Sequence, residues 1–123
     1  MNYLMVALGG MFGTLGRYIV TGWVSKYNNS FFPFATLTVN IIGSFMVGFL
    51  GALLLEKLAI EPYWRTLILT GFFGAFTTFS TFSFETLKLL QQSMYFYAIA
   101  NILVSILTGL IAVWLGYTTA KLF

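Results

Sequence analysis

The stretch G-F-F-G-A-F-T-T-F-S-T-F-S-F-E, residues 71–85, decides how the rest of this chain is read. Glycines, phenylalanines and hydroxyl side chains crowd into it, and Glu85 closes it. Consecutive Thr77 and Thr78, followed by Ser80, Thr81 and Ser83, give poor local support to a regular apolar helix, because short hydroxyl side chains offer the backbone competing hydrogen bonds. Gly71 and Gly74 lie just before them. The pattern predicts a helix that breaks.

The surroundings place that break in a bilayer. The 123 residues are 59% hydrophobic and 7% charged, whereas a soluble domain carries roughly a quarter charged residues. Such a chain cannot cover a water-facing surface. The absence of cysteine excludes a disulfide framework and a thiolate metal site, and the absence of histidine removes the commonest general base and metal ligand. The net charge of +3 comes from scattered basic residues, which argues against nucleic acid as a partner. The first apolar run begins at Tyr3 without a basic leader segment and continues past the length of a signal peptide, so it reads as a first span.

A spanning helix needs about 20 mostly apolar residues. Four stretches qualify, 3–24, 35–55, 65–90 and 96–120, joined by short connectors. The expected fold is all-α, a single transmembrane domain over residues 1–123, with the third helix broken and both termini on one side. Within lipid, free backbone groups at a break must be buried in protein or face water, and broken helices are favoured places for ion sites. The stretch at 71–85 is therefore the candidate working part of a small membrane channel.

Other spans offer it partners. The first contains Gly9, Gly10, Gly13 and Gly16 ahead of Arg17. This spacing is superficially that of a dinucleotide-binding turn, but no strand precedes it. In a membrane, such glycines let another helix approach closely. Arg17 either snorkels to the headgroups or attracts anions into a vestibule. In the second span Thr36, Asn40 and Ser44 follow one another at helical spacing. Asn40 serves either as interhelical glue or as pore lining, and Thr36 and Ser44 can simply bond their own backbone. Phe79 and Phe82, three apart, share a face. They are either ordinary lipid-facing residues or, ring edge inward, groups that favour an anion. Glu85 either pairs with Lys88 or faces inward to a partner such as Arg17. In the fourth span Tyr97, Asn101, Ser105 and Gly109 form one stripe, marking a helix contact or a polar track.

Basic residues normally accumulate in cytoplasmic loops. Here Lys57, Arg65 and Lys121 fall on the side of the termini, with Arg17, Lys26 and Lys88 on the other. The balance permits insertion either way, and an antiparallel homodimer follows naturally. Four thin helices enclose little volume, so an aqueous path forms most easily at a subunit interface.

The segments G-G-M-F-G-T-L-G-R-Y at 9–18, T-L-T-V-N-I-I-G-S-F-M-V-G at 36–48 and the block at 71–85 together resemble the Fluc (CrcB) family of small fluoride channels. The likeness runs along the whole chain and is weakest in the fourth span. It implies a dual-topology antiparallel homodimer with two pores that exports fluoride passively across a microbial cytoplasmic (inner) membrane. It also implies that Asn40 lines the pore, that Phe79 and Phe82 form an aromatic box, and that Thr81 donates to the ion. Ser105 would end a polar track, and Thr36 is placed in the pore by spacing. The family holds a central structural Na⁺ through main-chain carbonyls, at positions matching Gly74 and Thr77. Arg17 would face the vestibule, and Glu85 matches a family acid to which no role is given. A small multidrug antiporter of similar length would need a carboxylate in the first span, and residues 3–24 contain none. A transport-inactive accessory protein leaves the composition of 71–85 unexplained. An enzyme lacks the catalytic groups.

Overall fold

The computed structural model describes residues 2–123, and among them it contains helices and turns but no strand. Helix α1 is Asn2–Tyr27 and α2 is Phe34–Lys57. The third candidate span, Pro62–Gln91, contains α3 (62–76) and α4 (Ser80–Gln91), and α5 is Tyr95–Ala120. By length and composition, four segments can cross a membrane. The 26 residues of α1 extend about 39 Å at ~1.5 Å per residue, more than a hydrocarbon core of roughly 30 Å. The helices overrun the apolar stretches because backbone hydrogen bonding continues past the last apolar side chain, through Ser25 and Lys26 in α1.

Local chemistry sets the ends. Asn28 stops α1: its Nδ2 donates to the Phe32 carbonyl at 2.8 Å, and its Oδ1 accepts from the Ser30 amide at 3.0 Å and hydroxyl at 2.8 Å. Pro33 then precedes α2, a position where no amide hydrogen is needed. The last turn of α2, Leu53–Lys57, widens to π spacing before Leu58 turns extended. Pro62 opens α3 at a first-turn position, where its fixed φ is already helical. Most of α3, Thr66–Phe73, is again π-helical, a geometry that is rare and concentrates near functional sites. At the end of α4, Ser93 adopts φ 60° and Met94 N–H reaches back to the Leu89 carbonyl at 2.8 Å, the bond of a Schellman stop with serine where glycine is usual.

The helices associate in two close pairs, α1 with α3 and α2 with α5. Lipid offers no hydrophobic drive for helix association, so close van der Waals fit must supply it. Glycine makes that fit possible: a β-carbon on Gly9 would overlap the Leu67 carbonyl, and one on Gly48 would overlap the Val113 carbonyl. Between the pairs, Val39, Phe73 and Phe76 form the buried cluster, with Val20, Met46 and Ile68 packed against it. Large apolar side chains such as Ile99, Leu103 and Leu110 of α5 point outward. Lys121 Nζ donates to Glu56 Oε1 at 2.8 Å, which holds the lysine pKa above its usual value. Both side chains are exposed, so the pair contributes little.

Candidate functional site

The third span leaves helical geometry after Phe76 and regains it at Ser80. Thr77 is extended, with φ −87° and ψ 161°, while its amide and hydroxyl both still donate to the Phe73 carbonyl, at 3.2 and 3.0 Å. A continuous helix would pass the Thr78 amide hydrogen to the carbonyl of Gly74. Instead it goes to Asn40 Oδ1 at 2.8 Å, and Asn40 Nδ2 donates to the Thr78 carbonyl at 2.9 Å. A side chain of α2 thus replaces the missing ladder bonds of the third span. Interhelical glue is the role these contacts give Asn40, and the same residue also lines an open cavity.

That cavity, about 400 Å³, is bounded by Asn40, Gly43 and Ser44 of α2, by Thr77, Thr78, Phe79 and Phe82, and by Ser105 and Gly109 of α5. None of the described residues lining it is charged. The rings of Phe79 and Phe82 stand 5.7 Å apart, centre to centre, tilted by 48°. Phe79 is 79% exposed, so within the single chain this wall of the cavity is open. Ser105 Oγ donates to Asn101 Oδ1 at 3.2 Å, Asn101 Nδ2 to Thr86 Oγ1 at 2.9 Å, and Thr86 Oγ1 to the Phe82 carbonyl at 2.8 Å. This chain of bonds ties the cavity-lining serine to the backbone of a cavity-lining phenylalanine through Asn101, which is fully buried. The stripe read along the fourth span accordingly divides. Ser105 and Gly109 face the cavity, Asn101 faces α4, and Tyr97 lies against Phe96 at 5.9 Å between ring centres.

The remaining candidates lie around the cavity rather than in it. Thr81 does not border it; its amide donates to Thr78 Oγ1 at 3.1 Å. Thr36 is buried a turn before Asn40 and faces Glu85. Glu85 has a buried Oε1 that accepts no hydrogen bond among the described residues, and it borders a separate cavity of about 270 Å³ with Asn28, Ser30 and Lys88. Neither partner considered for Glu85 pairs with it. Lys88 lies over the Phe84 ring at 5.4 Å, and Arg17 Nε donates to the Ala75 carbonyl at 3.0 Å. Arg17 thereby sits at the negative end of α3, where a cation is favoured.

Gly74 and Thr77 present main-chain carbonyls at the interruption, and the Gly74 oxygen has lost its helical donor to Asn40. Neutral hard oxygens of this kind suit a small hard cation. Among the described residues no group of three acidic, histidine or cysteine side chains comes together to hold a metal ion. Thr78 is the site residue that sequence reading passed over. Its signal was present: a threonine hydroxyl just ahead of a helix is a ready acceptor for a first-turn amide.

Comparison with known proteins adds a further observation. The family described as CrcB-like protein, Camphor Resistance (CrcB), matches residues 4–117. A protein of Desulforapulum autotrophicum named fluoride-specific ion channel FluC is 43% identical, over 98% of this chain and 97% of the relative. Proteins of the same name from Hydrogenovibrio crunogenus and Hahella chejuensis are each 44% identical, covering 100% and 98% of this chain and 93% and 95% of their own lengths.

Proposed function

Because the chain belongs to the CrcB family, we propose that it is a fluoride-selective ion channel, and not an enzyme, that lets fluoride leave passively across a microbial cytoplasmic (inner) membrane. The observation that carries this reading is the uncharged cavity, in which an amide, hydroxyls and two phenylalanine rings converge on one small volume. Fluoride is small and strongly hydrated, so a selective path must replace its water with donors without holding it too tightly to release. A lysine or arginine in the narrows would risk that trap. Amide hydrogens and the positive edges of aromatic rings provide graded attraction instead.

In this reading Asn40, Phe79 and Phe82 contact the ion, with Ser105 on the facing helix as the end of a polar track. Thr81 and Thr36, which do not border the cavity of the single chain, would offer hydroxyls to the ion only beyond it, and Arg17 would draw anions toward the path. Glu85, facing Thr36, receives no assigned step. The open wall at Phe79 is closed by a second, inverted copy of the chain, giving two pores per antiparallel homodimer. The near balance of basic residues on the two sides supports such dual insertion. The carbonyls of Gly74 and Thr77, contributed by both copies, hold a structural Na⁺ at the dimer centre. Bound there, the ion offsets the partial negative charge of two helix ends.

The deciding measurement is ion release from liposomes that contain the purified protein and a potassium ionophore. Fluoride leaves rapidly and chloride is retained. Equal release of both anions, or of neither, removes the selective-channel reading.

A further inference from the structure

Phe79 is 79% exposed within its subunit, so packing inside the chain does not hold its ring. Its direction is set by the backbone that carries it. That backbone changes character over three residues: Thr77 is extended at φ −87° and ψ 161°, and Phe79 is already helical at φ −88° and ψ −37°. Thr78, between them, is held from two directions. Asn40 binds its amide and its carbonyl, and its own Oγ1 accepts the Thr81 amide hydrogen at 3.1 Å. The latter joins the residue just before the N-cap Phe79 to an otherwise unpartnered amide in the first turn of α4. It ties Thr78 to the first turn of α4 across Phe79, and so orients the residue between them.

The same clamp gives Asn40 a polarity. A primary amide offers two N–H donors and one carbonyl acceptor, and in isolation either end can turn toward a cavity. The Thr78 amide can be met only by Oδ1, which removes the flipped orientation. With Oδ1 and one N–H engaged on Thr78, the hydrogen-bonding capacity left for the cavity is chiefly the second N–H. An ambivalent amide becomes a donor, which suits an anion and not a cation.

We propose that Thr78 is a positioning residue for anion passage, aiming Phe79 through the bond its hydroxyl accepts from the Thr81 amide and presenting Asn40 as a donor through its backbone. This inference rests on the channel reading above. It is tested with the full chain in liposomes by fluoride efflux per folded protein, in the series Thr78→Ser, Thr78→Asn, Thr78→Ala and Thr78→Val. Serine and asparagine keep a side-chain acceptor for the Thr81 amide and stay within about twofold of the parent, whereas alanine and valine fall about fivefold, the factor typical for loss of one such acceptor at a helix start. In a Phe79→Ile background, Thr78→Val produces little further loss, because the side chain that Thr78 aims is already gone. A purely structural threonine would add its loss to that of Phe79→Ile.

Equal efflux across the series overturns the proposal, as does a loss in the serine and asparagine variants as deep as in valine. That arm decides the matter even where the valine variant does not fold. A parent protein that releases no fluoride removes the channel reading and this inference together, whereas an active parent with a flat series removes this inference alone.

Discussion

Asn40 and Thr78 exchange two hydrogen bonds across 38 residues of sequence: Nδ2 donates to the Thr78 carbonyl at 2.9 Å, and Oδ1 accepts from the Thr78 amide at 2.8 Å. An amide side chain here does what the next turn of helix would otherwise do. The interruption in the third span is therefore a satisfied structure, with α2 supplying the missing partners, and not a frayed one.

Removing that side chain should damage passage more than folding. Asn40→Ala leaves both Thr78 groups facing a cavity that water can enter, so much of the usual cost of about 1–3 kcal/mol for an unmet buried polar group is relieved. Fluoride efflux should fall at least about tenfold, a 1.4 kcal/mol effect, with a smaller change in thermal unfolding in detergent. Asn40→Asp keeps the acceptor for the Thr78 amide but directs a carboxylate at the anion path, and its efflux should be no better than that of alanine. An aspartate variant that conducts like the parent would mean the donor is dispensable.

The pairing of α2 with α5 makes a separate prediction, about assembly. A β-carbon on Gly116 would overlap the Phe45 carbonyl and come within 2.9 Å of the Phe49 amide nitrogen, both backbone atoms that cannot step aside. Gly116→Val should cost at least the ~1–3 kcal/mol typical of overpacking. The matching control is Gly22→Val, where no atom stands within 4 Å. Size-exclusion profiles and unfolding midpoints should separate the two. Equal tolerance would refute the close approach.

These two cases mark what could be read in the sequence and what could not. Apolar length alone indicated four membrane-spanning segments, and glycine spacing indicated close helix approach, because both are local properties of composition. The polar residues were harder. Asn101 and Ser105 sit on one helical stripe, yet one bonds to Thr86 and the other borders the cavity. Four residues of helix rotate a side chain slightly, and the neighbouring helix decides the rest. The partner of Arg17 was illegible for a similar reason: a carbonyl freed at a helix end, here that of Ala75, is invisible in a list of side chains. Thr78 was missed because its contacts to Asn40 are made by its backbone, which the side-chain identity does not reveal.

Asn101 gives a prediction about the fourth helix. It is 1% exposed and joins Thr86 to Ser105. Asn101→Leu roughly preserves volume but removes the acceptor of the Ser105 hydroxyl and the donor to Thr86 Oγ1. Interhelical hydrogen bonds in membranes are worth about 0.6–2 kcal/mol, so the unfolding midpoint should drop measurably. Because Thr86 also bonds the Phe82 carbonyl, efflux should fall modestly as well. A midpoint and an efflux both equal to those of the parent would remove the network from the account.

The sharpest test falls on the aromatic pair. Phe79 and Phe82 stand 5.7 Å apart at the cavity wall, and a lipid-facing pair would look much the same by burial alone. The two roles differ in what isoleucine does. Isoleucine restores apolar bulk but has no quadrupole, hence no positive edge to meet an anion. If the rings only face lipid, Phe79→Ile and Phe82→Ile leave fluoride release unchanged. If the ring edges contact the ion, each variant loses fluoride efflux by about tenfold or more, on the scale of ~1.4 kcal/mol per factor of ten. The assembled protein should meanwhile elute and unfold as the parent does, because neither ring is in the buried cluster of Val39, Phe73 and Phe76. Phe76→Ile, which alters that cluster, should show the opposite pattern, with lowered stability and a smaller loss of passage per folded molecule. Parent-level efflux in both Phe79→Ile and Phe82→Ile would refute the aromatic-box assignment.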